Sequence, residues 1–420
     1  MLLPHVTPAM LHADYWLERA PDPDAVRLNP ATSQRLNAQS TTSTGLPDIL
    51  TLPDTLSAAE VRAMLRREPP ASARYAVDGS PIPAETWAAV LTNSAFATIP
   101  DSTPVQFALA TRRTSIRALP TALLATREPG DLFFDRLQET TIDVGWPLAI
   151  LHTSADTAWV FAITPDYAGW LRADHVARTD RNTLRKFTQA AAFLLAVQPW
   201  SDVACQHDPQ SGLTIQLGTR LPLTDAQSST GSQQVMLPGG VNGQLNERVG
   251  FVAADDPGWA AGYQPATMRT VLTTAFRVLG EPYTWGGQRL GRSGRDCSRL
   301  VRDVYATLGV YLPRNSGQQA RVGPTAATFA PGEDNASRIQ KLATIPAGAL
   351  LFLPGHVMLH LGVVDGIPYA LHDLWGYARP EGDKIVVGAV VVSALPPEPS
   401  AQGDHTLLER LTHVQTIFET

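Results

Sequence analysis

Cys297, preceded by Asp296 and followed by Ser298, stands at the mouth of an amphipathic segment, and two histidines, His356 and His372, follow downstream. The chain holds only two cysteines, so a disulfide framework cannot account for this one. A neutral thiol is a poor nucleophile, and the thiolate is the reactive form. A helix start supplies the positive end of the macrodipole and unpaired amide N–H groups. A nearby imidazole then stabilises the thiolate and later protonates a leaving amine, while the amides hold an oxyanion. Arg292, Arg295, Asp296, Ser298 and Arg299 crowd Cys297 with polar groups, which is the wrong flank for a structural core thiol. Cys205 has no such setting and reads as an ordinary buried cysteine.

His356 follows Pro354-Gly355 and begins an alternating run in which Val357, Leu359, Leu361 and Val363 share one side. His356, Met358 and His360 share the other. The Asp365-Gly366 pair is a hairpin signal, so the next strand returns His372 beside the first. Two neighbouring strands thus present His356 as base and His372 as the group that orients it. A metal reading competes, because His356 and His360 are four apart with His372 near. That spacing suits zinc on a helix, but the pattern has a strand period and no glutamate follows His356. No metal or cofactor is expected, and His152, His175, His207, His405 and His413 receive no role.

The elements around these residues follow from periodicity. Met268, Val271, Leu272, Ala275, Phe276 and Leu279 share a helical face that Gly280 ends, and Leu300, Val301, Val304, Tyr305 and Leu308 make a second stripe stopped by Gly309. Strands are predicted over 349–353, 357–364, 369–374 and 385–392, giving an α+β domain over 256–420. Upstream, residues 1–75 carry helical signals, including a capping box at Ser57-Ala58-Ala59-Glu60. Residues 76–178 read as a small β-barrel, in which Trp159, Phe161 and Ile163 alternate and Trp146, Trp159 and Trp170 fill the core. Residues 179–255 combine a helix-like apolar patch, Phe187 to Val197, with a second β segment and a polar loop from Thr224 to Gln234. No internal repeat at a fixed period is visible.

Together the motifs Tyr283-Thr284-Trp285-Gly286-Gly287, Asp296-Cys297-Ser298, Leu312-Pro313-Arg314-Asn315-Ser316, Gly355-His356-Val357-Met358-Leu359 and His372 resemble the NlpC/p60 family of cell-wall cysteine peptidases over roughly 265–395. The resemblance implies a papain-like core with Cys297 as nucleophile, His356 as base and His372 as third polar group. It further implies that Tyr283, Trp285, Asp296, Ser298, Asn315 and Ser316 face the D-glutamyl portion and amine of a murein stem peptide. The upstream segments resemble members with two bacterial SH3 (SH3b) modules, 76–178 and 179–255, wrapped by an N-terminal segment. Arg112-Arg113-Thr114, Arg117, Leu119-Pro120-Thr121, Phe134-Asp135 and Gln138 carry the first match, and Gly218 to Leu223 the second. Such enzymes cut the γ-D-glutamyl to L-diamino acid bond, with diaminopimelate as a typical diamino acid, in peptides bearing a free N-terminal L-alanine. The alternatives are an inert murein-fragment binding protein, or an amidase or acyltransferase on the same fold. Arg299, Ala349 and His360 stand where relatives often carry glycine, aspartate and tyrosine, and Asn315 where some carry aspartate.

Bulk properties narrow the field. At 420 residues, with 44% hydrophobic and 17% charged content, the chain is globular and multi-domain. A net charge of −6 leaves no basic excess to neutralise phosphates, which excludes nucleic acid as the main partner. The longest apolar run, Ala190 to Val197, falls short of the roughly 18 to 20 residues that a spanning helix requires. The opening residues lack a basic region and an apolar core of signal-peptide length. The expected location is periplasmic or envelope-associated if a signal was removed, and cytoplasmic otherwise.

Overall fold

Alternating apolar residues build one part of the molecule, and helical stripes laid on a sheet build the other. The computed structural model describes residues 2–66, 68–205, 208–224, 231–378, 384–395 and 405–418. His207, Arg67 and most of the loop after Thr224 lie outside the described residues. The chain forms two units: Met1–Thr44, Tyr263–Thr284 and Gly294–Thr420 make one, and Gly45–Gly262 with Trp285–Ser293 make the other.

In the second of these, the β unit, Gln106–Ala110 lies between Pro147–Thr153 and Val176–Arg178, all antiparallel. The sheet continues through Trp159–Ile163, Ala168–Arg172, Thr114–Arg117 and Gln138–Ile142. Ala108, Ile116, Ile142, Leu148, Val160 and Leu171 close one core. Trp159 and Trp170 are buried in a neighbouring cluster with Val61, Phe107, Leu184 and Phe187. Val61 arrives there on the helix Ala58–Met64, which starts at the Ser57/Glu60 capping box.

A second set of strands follows. Phe193–Ala196 runs between Arg220–Pro222 and Trp259–Ala261, and two hairpins pair 200–205 with 208–216 and 232–241 with 244–253. Leu194, Val203, Ile215, Leu221, Val235 and Trp259 form its core. The apolar patch expected as a helix from Phe187 to Val197 is divided between two elements. A helix spans Arg181–Thr188, started by Asp180, whose side chain accepts from the Asn182 and Thr183 amides. The continuous run at 193–196 is a fully buried strand, the state such a short apolar stretch adopts between two partners.

The other unit is α+β. Its sheet has six strands: β1 (Thr325–Thr328), β2 (Leu350–Leu353), β3 (His356–Val364), β4 (Ile367–Ala378), β5 (Lys384–Ala394) and β6 (His413–Gln415), ordered β1-β6-β2-β3-β4-β5. Asp365 and Gly366 both have positive φ, 50° and 77°, the two-residue hairpin geometry expected between β3 and β4. Helices α1 (Met268–Arg277), α2 (Cys297–Ala306) and α3 (Asn335–Ala343) belong to this unit. Leu342, Leu351, Leu353, Met358, Ala370 and Val414 form an apolar layer. A 15-residue helix, Pro30–Thr44, buries only Thr32, Leu36 and Ser40. It is held by hydrogen bonds: the Asn37 amide donates to the Gly309 carbonyl at 2.9 Å, and the Asn37 carbonyl oxygen accepts from Tyr311 N–H at 2.8 Å. Among the described residues, no helix is long and apolar enough to cross a membrane.

Candidate active site

Helix α2 begins at Cys297 because Asp296 caps it. One carboxylate oxygen of Asp296 accepts from the Arg299 amide at 3.0 Å, and the other accepts from the Arg314 guanidinium at 2.5 Å. Arg314 also donates to the Ser298 hydroxyl at 2.8 Å, and Gln319 donates to the Ser298 carbonyl at 2.9 Å. Behind the cap, Arg295 is completely buried and bridges Glu281 and Asp303, the latter at 3.0 Å. Arg299 reaches the second oxygen of Asp303 at 2.7 Å. The first turn of α2 is therefore clamped by charge on both flanks.

The histidines come from adjacent strands. His356 opens β3, and its Nε2 lies 2.7 Å from Nδ1 of His372 on β4. Nε2 of His372 lies 2.8 Å from the Ser393 hydroxyl on β5. Cys297 is only 8% exposed, and its helix packs on β3, the strand that His356 begins. Nε2 of His356 being engaged by His372, Nδ1 is the nitrogen left for the thiol.

Electrostatics depart from the expected thiolate. Burial pushes the Cys297 thiol up to about 12, reinforced by Asp296 and Asp373 and opposed by the Val357 amide and Arg314. Burial also holds His356 down to about 4, with Arg410 adding to the effect and Asp296 opposing it. His372 is held well below the usual imidazole range by burial and by His356. Both shifts favour the uncharged thiol and the uncharged imidazole. The dipole of one helix start, worth roughly half a charge, does not outweigh desolvation plus two nearby acids.

The remaining candidates separate. Tyr283 belongs to this unit: its amide donates to the Gly388 carbonyl at 2.8 Å and its ring meets Trp375 edge-on at 5.7 Å. Its hydroxyl is raised well above the usual phenol value by burial, Cys297, Asp296 and Asp373. Ser298 and Asp296 sit in the clamp described above. Asn315 is exposed and Ser316 half-exposed at the start of a short helix, Ser316–Gln319, while their neighbour Arg314 is buried. Trp285 lies in the β unit, where its indole N–H donates to the Gln138 carbonyl at 3.1 Å and its ring packs on Phe134. Gly286 follows with φ of 63°, and a Cβ there would stand 2.6 Å from the Gln138 side chain. His360 is fully buried and held down to about 4 by desolvation, tempered by contacts to the Leu342, Ile345 and Tyr369 backbone.

Four polar residues of this site carried no role in the sequence reading. Arg314 lies inside the Leu312 to Ser316 motif, and its charge between Pro313 and Asn315 is the available signal. Arg295 is visible in sequence only as a polar flank of Cys297. Ser393, in a valine-rich strand, and Asp373, beside His372, gave no local signal. Asp373 is fully buried, and neither carboxylate oxygen has a hydrogen-bond partner among the described residues. Burial, Asp296 and Glu281 raise its carboxyl well above the usual range, against Arg295.

Comparison with known proteins finds two matching family segments. Residues 280–378 match the family model for NlpC/P60, and residues 125–172 match that for an SH3 domain of SH3b1 type. A gamma-D-glutamyl-L-lysine dipeptidyl-peptidase of Bacillus cereus is 33% identical over 126 residues, covering 28% of this chain and 32% of that protein. The peptidoglycan endopeptidase RipB of Mycobacterium tuberculosis is 37% identical over 107 residues, covering 22% of this chain and 39% of that protein. The chain spans about a third of the length of these curated relatives. A solved NlpC/P60 endopeptidase from Photobacterium damselae subsp. piscicida superimposes with a TM-score of 0.73, covering 96% of this chain and 97% of its own. At 14% identity that likeness is one of fold.

Proposed function

We propose that this chain, with its NlpC/P60 segment and SH3b-type domain, is a cysteine peptidase acting on peptidoglycan peptides at the γ-D-glutamyl to L-diamino acid bond. Cys297 is the nucleophile, His356 the base and His372 the group that orients it. One observation carries the reading: a buried cysteine opens a capped helix packed on the strand that His356 begins, and Nε2 of His356 is engaged by His372 at 2.7 Å. The names of the relatives, peptidases of glutamyl-lysine and peptidoglycan bonds, support the substrate class.

In this mechanism the thiol proton passes to Nδ1 of His356 as sulfur attacks the scissile carbonyl, because the shifts favour the uncharged form of both groups. The amides of Cys297 and Ser298, which have no acceptor one turn back, are the donors available to the oxyanion. The imidazolium then protonates the leaving amine, and water, deprotonated by the same nitrogen, releases the acyl group. The D-glutamyl portion is assigned to Tyr283, Asp296 and Ser298 within the charged clamp. The two β modules are assigned as paired SH3b domains, and a free N-terminal L-alanine as the preferred end of the substrate.

The test is incubation with L-Ala-γ-D-Glu-diaminopimelate and analysis of the products by mass spectrometry. The expected products are L-Ala-D-Glu and free diaminopimelate. An intact peptide, or cleavage at the L-Ala bond instead, rejects the assignment.

A further inference from the structure

We propose that Ser393 is a positioning residue of the catalytic relay, accepting a hydrogen bond from His372 Nε2–H and so holding His356 in the tautomer whose Nδ1 takes the thiol proton. The inference rests on the peptidase reading and extends its machinery by one residue. Ser393 sits on β5, opposite Ala370 of β4, and is 4% exposed. Its hydroxyl is 2.8 Å from His372, whose other nitrogen is 2.7 Å from His356. Three groups on three adjacent strands thus form one hydrogen-bonded row.

Only one proton arrangement along that row leaves His356 able to act. If the Ser393 hydroxyl donates to His372 Nε2, then His372 Nδ1–H donates to His356 Nε2. The neutral His356 must then carry its proton on Nδ1, and no lone pair faces the thiol. If Ser393 accepts instead, His372 is protonated on Nε2 and bare on Nδ1. His356 then donates from Nε2 and keeps Nδ1 free. When His356 takes the thiol proton, both its nitrogens carry hydrogen, and the second arrangement is the one that survives. Burial and His356 also disfavour a charged His372. A buried N–H without an acceptor would be left at His372 during the reaction if the Ser393 oxygen were absent. The charged groups around the pair are Arg410, which lowers the basicity of His356, and Asp296, which raises it.

The experiment compares wild type, Ser393→Ala and Ser393→Thr on the tripeptide across pH, with histidine-selective 15N NMR of the wild type. Ser393→Ala is expected to lower kcat roughly ten- to hundredfold with KM unchanged. Its acid limb should move to lower pH, because the imidazolium of His356 has lost support. Ser393→Thr, which keeps the hydroxyl, should restore most of the rate. In the NMR spectrum His372 should be protonated on Nε2 and bare on Nδ1, a readout that stands if the alanine variant does not fold. The reverse tautomer, or an active wild type matched in rate and pH profile by Ser393→Ala, overturns this inference alone. A wild type that leaves the peptide intact overturns the peptidase reading along with it.

Discussion

Helices α2 and α3 pack on the same sheet, are ten and nine residues long, and both start on an aspartate cap. Asp296 accepts from the Arg299 amide and Asp334 from the Ser337 amide. Beyond that they diverge. Helix α3 buries only Arg338 and Leu342, and Arg338 donates to the backbone carbonyls of Ala330, Glu333, Leu408 and Leu411. Helix α2 buries every residue, Arg299, Arg302 and Asp303 included, and its cap has a second engagement with Arg314. Burying charge is costly even when paired, and an apolar helix of the same shape would serve stability as well. The contrast indicates what the expense secures at α2: a fixed position for the side chain at its first turn.

The sharpest way to break that contrast is Cys297→Ala. Turnover of the tripeptide should vanish. Thermal melting should move little, since only a sulfur atom is lost from a site already fixed by the charged clamp. Residual turnover by this variant would separate the clamp from the chemistry altogether.

Next in size is Arg295→Met. It leaves Glu281 without this buried guanidinium and removes one of the two that Asp303 holds, and a broken buried pair costs about 3–5 kcal/mol. Arg338→Met on α3 orphans only carbonyls and should cost about 1–3 kcal/mol. Urea unfolding of the two variants checks the order. Equal losses would mean that the charge around α2 is ordinary packing.

Much of this arrangement was legible in the chain, for identifiable reasons. The apolar stripes of α1 and α2, the strands β2 to β5 and the Asp365-Gly366 turn follow from local periodicity and turn chemistry, which do not depend on distant contacts. The juxtaposition of His356 and His372 followed from that turn. Pro30–Thr44 was not individually visible, because its Ser/Thr-rich surface carries no stripe and its support comes from single side chains such as Asn37. The patch at 187–197 misled because a short buried strand and a buried helix segment share the same composition. The neutral state of Cys297 was hidden for another reason. The macrodipole can be read from the position of a cap, whereas desolvation and the approach of Asp373 depend on β4 folding over α2.

His360 sharpens the comparison from the apolar side, since it shares strand β3 with His356 yet owes its depressed pKa to burial first. Its pKa is depressed from 6.5 to about 4 in the folded state, so it binds fewer protons folded than unfolded. Its stability contribution is therefore fully present above pH 6.5 and is lost as pH falls toward 4, amounting to about 3 kcal/mol by linkage. His360→Gln should lose correspondingly less stability than wild type between pH 7 and pH 4. Asp373, whose carboxyl is raised, acts with the opposite sign, but it is common to both proteins and cancels in the difference. Parallel pH profiles from urea titrations would show that His360 titrates alike in the folded and unfolded states.

The smallest effect tests the shared device itself. Asp334→Ala removes an exposed cap with one amide partner, and such a cap is worth about 1 kcal/mol. Activity should be unchanged, because α3 contributes no group to the Cys297 site. Asp296→Ala removes the same kind of cap but also takes one partner from Arg314 and frees the first turn of α2. It should lose activity well beyond its loss of stability. If Asp334→Ala impairs catalysis to a similar degree at equal stability, then the sheet transmits strain between the two helices. The clamp at α2 would then not be a local fixture.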